Sequence, residues 1–303
     1  MNLMKSLRLF STEEKAKQWL MKELWNNQIQ CPKCQSCNIQ HDAKHSSMPF
    51  RCRDCPNKIK FSIKTASVME GSKLSYQTWA VAIYLVTNNT KGISSVRLAK
   101  ECGITQKSAW FLLQRIRLAF EIKKEKLKGT MEVDETYLGG KRKNMSLKKR
   151  KELRQLGRGV AGKIPIIGMK CRETNQIVAC STEHTDRETL HQFITENTTE
   201  DSLIYTDEAR CYWGLPREHQ TVNHSQCEYV RDDVHTNGIE SHWALFKRGY
   251  HGTFHWISRK HLNRYVQEFT TRHNIKDWSS IDQMAYVASN MADKQLLYRD
   301  LVA

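Results

Sequence analysis

No stretch of this chain approaches the ~20 consecutive apolar residues of a membrane-spanning helix. The opening MNLMKSLRLF also has no convincing apolar core or cleavage site of a secretory signal. Neither a bilayer span nor export is expected, and the reading is of a cytoplasmic protein. No internal repeat and no low-complexity tract occurs in the 303 residues. Acids are in short supply: 32 Asp and Glu stand against 48 Lys and Arg, a formal charge of +16 spread along the whole length. Such an excess suits a protein that neutralises phosphates, so nucleic acid is the first partner to consider. With 39% hydrophobic residues, the chain can build a real core and two or more folded units.

Against that background stand ten cysteines. In a chain that is not exported, paired cysteines suggest metal rather than disulfides. Cys31, Cys34, Cys52 and Cys55 form CxxC-x17-CxxC, the spacing of a zinc ribbon. Two thiolate knuckles give a closed tetrahedral site, so one Zn²⁺ bound there is structural. Cys37 offers an alternative ligand.

The pattern divides the chain into an N-terminal helix (1–26), the ribbon (27–66), a helical region (67–128), a catalytic domain (129–275) and a helical tail (276–303). STEEKAKQWLMKELW starts with Ser11 and Glu14 at capping-box spacing. LSYQTWAVAIYLV reads as a core helix. GISSVRLAKECGITQKSAWFLLQRIRLAF then reads as a helix-turn-helix, with Gly103 at the turn and the second helix starting after Thr105. Gln106, Lys107 and Ser108 are expected to read base edges, with Arg115 and Arg117 meeting phosphates further along. From Gly129 the period becomes extended: MEVDETYLGG is a strand, KIPIIGMKC and QIVACSTEH a hairpin, DRETLHQFITEN a helix, SLIYTD a buried strand, HQTVNH another strand, and TNGIESHWALFKRGY a long helix. Three successive strands followed by alternating helix and strand predict an α/β core of the ribonuclease H type. A basic insertion, Lys141 to Arg158, holds nine Lys or Arg against one Glu. Lys141, Arg142, Lys143, Lys148, Lys149 and Arg150 are expected to face phosphates.

A core of that type needs carboxylates from separate elements to converge on divalent cations, two Mg²⁺ or Mn²⁺ ions, which take oxygen ligands. Asp134 lies inside the first strand, Asp207 ends the buried one, and Glu240 falls in the first turn of the long helix, with Lys247 two turns on. Glu132 and Glu135 compete with Asp134, and Glu208 with Asp207. Asn237 and Glu240 also stand at capping-box spacing, which leaves Glu240 a purely structural alternative.

CPKC, RCRDC, KGISSVRLAKECGITQKSAWFLLQRIR, VDETYLGGK, IYTDEARCYWGL and HTNGIESHWALFKRGYHGTFHWISRKHLNRYVQEF together resemble the bacterial insertion-sequence DDE transposases with an N-terminal zinc ribbon, of the ISXO2-like group. The resemblance runs from about Trp25 to His273. It implies an enzyme that binds terminal inverted repeats, cuts at element ends and joins the 3′-hydroxyls to target DNA, acting as an oligomer on DNA. By motif the acids fall on Asp134, Asp207 and Glu240. Some relatives use an asparagine in the third role, so Asn237 stays a candidate. Lys247, with Arg248 beside it, matches a basic position that contacts terminal DNA. A domesticated DNA-binding regulator and a metal nuclease that does not join strands are the competing expectations.

Overall fold

The structure is a computed structural model that describes residues 5, 8–26, 28–121, 125–140, 144–155, 161–222 and 234–302. The chain divides into two compact units, Met1–Ile122 with Lys276–Ala303, and Lys123–Ile275.

The first unit begins with α1 (Glu13–Trp25), which buries Ala16, Trp19, Leu20 and Leu24 at helical spacing. Its cap is Thr12, whose side chain accepts from the Lys15 amide. Ser11, the residue expected there, instead accepts from Lys15 Nζ at 3.2 Å. A small antiparallel sheet follows, with β1 (Ile39–Gln40), β2 (Phe50–Cys52) and β3 (Lys60–Phe61) in the order β1-β2-β3. Phe50 and Phe61 pack beneath Trp25 of α1.

The next helix, α2 (Tyr76–Asn88), is capped twice. Ser75 accepts from the Thr78 amide, and the Glu13 carboxylate accepts from the Tyr76 and Gln77 amides at 2.7 and 3.0 Å. Two short helices come next, α3 (Ser95–Cys102) and α4 (Gln106–Leu118), each started by a hydroxyl cap, Ser94 and Thr105. Gly103 ends α3 with φ +63°, a left-handed conformation that glycine adopts without steric cost.

The core of this unit joins α1, α2, α3 and α4 with Met284, Val287, Ala288 and Met291 from the far end of the chain. These last residues belong to or follow the helix Ser280–Ser289. The return segment is bonded in by Val68 N to Met291 O and Asp293 N to Ala66 O. Segment 276–303, expected as a tail, is thus built into the N-terminal core.

The second unit is a five-stranded mixed sheet with helices on both faces. Its elements are β4 (Thr130–Leu138), α5 (Leu147–Gln155), β5 (Ile164–Cys171), β6 (Ile177–Ser181), α6 (Arg187–Asn197), β7 (Leu203–Asp207), β8 (Glu218–Val222), α7 (Asn237–Gly249) and α8 (Arg259–Asn274). The strand order is β6-β5-β4-β7-β8; β5 is antiparallel to both β4 and β6, while β4, β7 and β8 run parallel. Alternation along β4 separates two cores. Met131 and Val133 pack with Leu190, Phe193 and Ile194 of α6 on one face. Leu138 on the other packs with Trp243 and Phe246 of α7 and Leu262, Val266 and Phe269 of α8. The basic insertion, expected as a loop, contains the helix α5. Among the described residues no helix is long and apolar enough to cross a membrane.

Candidate active site

Parallel pairing of β4 with β7 sets Thr130 beside Leu203, Met131 beside Ile204 and Glu132 beside Tyr205. Carried two residues further, the same register sets Asp134 beside Asp207 on one face of the sheet. This is the face covered by α7 and α8. Across the antiparallel pair Asp134 faces Gly168, and a Cβ on Gly168 would lie 2.6 Å from the Trp243 ring. Only a bare backbone there lets α7 lie on the sheet beside Asp134. Glu240 stands one helical turn before Trp243 on the same helix, and its charge reaches Asp134.

The electrostatics report that meeting. Burial, and then the charges of Glu135, Glu240 and Asp207, push the Asp134 carboxyl from 3.8 up to about 7. Carboxylates from two neighbouring strands and one helix thus act on Asp134 in a basic chain. That donor set suits a hard divalent cation, whose charge would relieve the mutual repulsion.

The competing acids have other partners. Glu135 points to the opposite face, where its carboxylate accepts from the Tyr212 hydroxyl at 2.5 Å. Glu208 is exposed, whereas Asp207 is half-buried and accepts from the Ala209 amide at 3.0 Å. Glu132, although on the Asp134 face, is committed to the start of α7. Its Oε2 accepts from the Gly238 and Ile239 amides at 2.7 and 3.1 Å, and its Oε1 from Arg172 Nε at 2.9 Å. A Cβ on Gly238 would lie 2.6 Å from Glu132 Oε2, so this close approach also needs glycine.

This arrangement corrects the capping-box alternative for Glu240. The helix starts one residue earlier than that pattern requires: Thr236 is the N-cap, Asn237 the first helical residue, and Ile239 holds the third position. Glu132 takes the Gly238 and Ile239 amides, and the Glu240 amide donates to the Thr236 carbonyl at 3.1 Å. Glu240 instead accepts from the Thr236 hydroxyl at 3.1 Å and is exposed toward the site. Asn237 is exposed on the first turn, and its carbonyl accepts from the Ser241 hydroxyl. No local sequence signal announces the cap from Glu132, because its partner amides lie more than a hundred residues away.

Lys247 and Arg248 are exposed on the last turns of α7, as are Lys148 and Lys149 on α5, while Arg150 is half-buried. Lys141, Arg142 and Lys143 lie outside the described residues. In the first unit Gln106 and Lys107 are exposed and Ser108 is half-buried at the start of α4. The Lys107 ammonium sits 4.6 Å from the centroid of the Tyr298 ring. Arg115 and Arg117, expected to meet phosphates, are only 5% and 1% exposed. Arg115 donates to the Leu296 carbonyl at 3.2 Å and lies over Phe111, so the segment returning from the chain's end has enclosed it.

The four cysteines Cys31, Cys34, Cys52 and Cys55 bring their sulfurs within 4.8 Å of one another and could hold a metal ion. The pairs Cys31–Cys55 and Cys34–Cys52 are 3.6 Å apart, too far for a disulfide. A tetrahedron of sulfurs each 2.3 Å from zinc has edges of about 3.8 Å. Burial works against ionisation of the Cys31 thiol, but hydrogen bonds from the Cys34 and Lys33 amides outweigh it and bring the thiol down to about 7. Cys37 is exposed and outside this group. Among the described residues no carboxylate group is gathered as tightly as the cysteines.

The second unit is a mixed α/β sheet carrying the acids, in a chain that also holds a four-cysteine cluster. Residues 126–274 match the ISXO2-like transposase domain, a span that contains Asp134, Asp207 and Glu240. The chain is also 25% identical over 282 residues to an uncharacterized protein in transposable element ISH50 of Halobacterium salinarum, covering 90% of this chain and 94% of that one. Over residues 126–274, about half of its length, the chain is similar to the insertion-sequence transposases.

Proposed function

We propose that the chain binds the terminal inverted repeats of an insertion sequence and catalyses metal-dependent strand cleavage and strand transfer. The observation that supports this reading is the Asp134 carboxyl, raised to about 7 by burial and by the charges of Glu135, Glu240 and Asp207. The strand order, with β4, β7 and β8 parallel and β5 and β6 antiparallel, supports a ribonuclease H-type core. Asp134, Asp207 and Glu240 would hold two Mg²⁺ or Mn²⁺ ions, which supply activation of a water or 3′-hydroxyl and charge compensation for the leaving oxygen. Asp134 and Asp207 provide ligands from the rigid sheet, and Glu240 closes the site from the helix. Glu132 fixes that helix by holding its first amides, and Lys247 and Arg248 attract the flanking phosphates. Glu240 is preferred to Asn237 for the third role, because a carboxylate supplies the negative charge a divalent cation requires and the Glu240 charge is one of those acting on Asp134.

Cys31, Cys34, Cys52 and Cys55 would bind one structural Zn²⁺ and order the small sheet as a zinc ribbon. The α3–turn–α4 pair would act as a helix-turn-helix, with Gln106, Lys107 and Ser108 reading bases, and α5 with its lysines would add affinity for phosphates. The domains follow as an N-terminal helix, ribbon, helix-turn-helix region and catalytic domain, with DNA-bound oligomers as the working form. The test is to incubate the protein with Mg²⁺ and the DNA flanking its own gene, and to sequence the joined ends. Joined ends that vanish in Asp134→Asn and Asp207→Asn support the reading; cleavage without joining would reduce it to a nuclease, and no cleavage would refute it.

A further inference from the structure

Beyond the acids, the same face of the sheet runs into a cleft of about 510 Å³ that the proposed chemistry does not use. Leu138, Lys149, Tyr250, Trp256 and Arg259 line it, and among the described residues no acid does. Leu138 lies four residues after Asp134 on β4, and Tyr250 ten residues after Glu240 along α7. At ~3.3 Å per strand residue and ~1.5 Å per helical residue, the cleft begins roughly 13–15 Å from the carboxylates.

Its wall is unusual in one residue. Trp256 is 70% exposed, although it follows a segment fixed at every step. Tyr250–Phe254 form a π-helical turn that continues α7, and Phe254 packs edge-on against Tyr265 and Phe269. His255 turns left-handed at φ +60° with its amide bonded to the Tyr250 carbonyl at 2.7 Å. The other two exposed tryptophans have neighbours over or beside their rings: Trp213 has Arg210 at 5.7 Å and Trp278 has Tyr286 at 5.2 Å. Among the described residues no ring or cation stacks on Trp256. A rigid backbone therefore holds a bare indole at the mouth of a cleft whose charged lining is Lys149 and Arg259.

We propose that this cleft receives one unpaired nucleotide of the DNA strand being processed, its base stacked on Trp256 and its phosphate held by Lys149 and Arg259. A paired base has both faces occupied by its neighbours, so only an unpaired one offers a free π face. The separation from the acids equals about four base steps at 3.4 Å each. The strand end would thus be opened a few nucleotides from the reacting phosphate. This rests on the reading of the second unit as a DNA-processing domain, but its test requires no cleavage.

Full-length protein is titrated without divalent cation against a short blunt duplex and the same duplex bearing a single-stranded thymidine extension. One stacked base predicts a preference for the extended probe of roughly 5- to 150-fold. Trp256→Ala should abolish that preference and leave blunt-duplex affinity within about twofold, while Trp256→Phe should retain most of it. Equal affinity of the wild-type protein for both probes, or a preference that survives in Trp256→Ala, would overturn the proposal. So would a Trp256→Ala protein whose only change is loss of self-association, since the indole would then serve a second copy of the chain. Failure of the joined-end assay with this preference intact would instead count against the transposase chemistry alone.

Discussion

Replacing Asp134 with Asn should stabilise the metal-free protein while removing its activity. In the folded chain the Asp134 carboxyl keeps its proton up to about 7, whereas the ordinary value is 3.8. Between those values the folded state binds more protons than the unfolded one, so stability falls as pH rises through that window. The full difference corresponds to about 4 kcal/mol at pH 8, and Asn, close in size and uncharged, does not incur it. For a unit of this size that is roughly 8–16 °C in Tm. Melting curves of the wild-type and Asp134→Asn proteins in chelator should separate by up to that amount at pH 8 and converge below pH 4, with the variant the more stable. Mg²⁺ should raise the wild-type transition and leave the variant's nearly unmoved. A variant less stable than wild type at pH 8, or a gap independent of pH, would refute the claim that the Asp134 carboxyl is buried without a compensating charge.

Three further outcomes are expected. Glu240→Gln keeps an acceptor for the Thr236 hydroxyl and is not needed as a cap, so its melting should hardly move while cleavage falls by at least ~100-fold, as gel assays would show. Glu132→Ala leaves Arg172 and two amides of α7 without their acceptor; denaturant titration should show a loss of ~3 kcal/mol, and Mg²⁺ affinity should drop with it because Glu240 is no longer held. Elemental analysis should find about one zinc per chain, and Cys31→Ser should release it and unfold the small sheet while the second unit keeps its transition.

The parts legible in the sequence were those written in local spacing. The two CxxC pairs, the alternation around Asp134 and the helical period after Asn237 each announce an element and its chemistry within a dozen residues. What stayed hidden depends on partners distant in the chain. The spacing at the start of α7 leaves Asn237 open as a cap, because capping rules look three residues ahead; the Gly238 and Ile239 amides are in fact taken by Glu132 from the middle of the sheet. Arg115 and Arg117 read as phosphate-meeting cations because nothing near them forecasts burial, and the cover of Arg115 comes from a segment some 180 residues later. Gly168 looked like one more strand residue until Trp243 was found against it. The convergence of the acids could be inferred from the fold type, but the glycine that permits it could not.

The N-terminal unit is closed by residues 284–291, and that has a kinetic meaning. A ribosome that has made Ile122 must add about 170 more residues before Met291 exists, roughly 10–30 s at ordinary bacterial rates. During that interval the first helices lack part of their hydrophobic partner. The second unit, whose strands and helices are contiguous between them, can complete itself first. The half made earliest therefore finishes last. A chain that terminates before Met284 would carry a finished carboxylate sheet joined to an unfinished helical core, with the apolar faces of α1 and α2 open to proteases and to other chains.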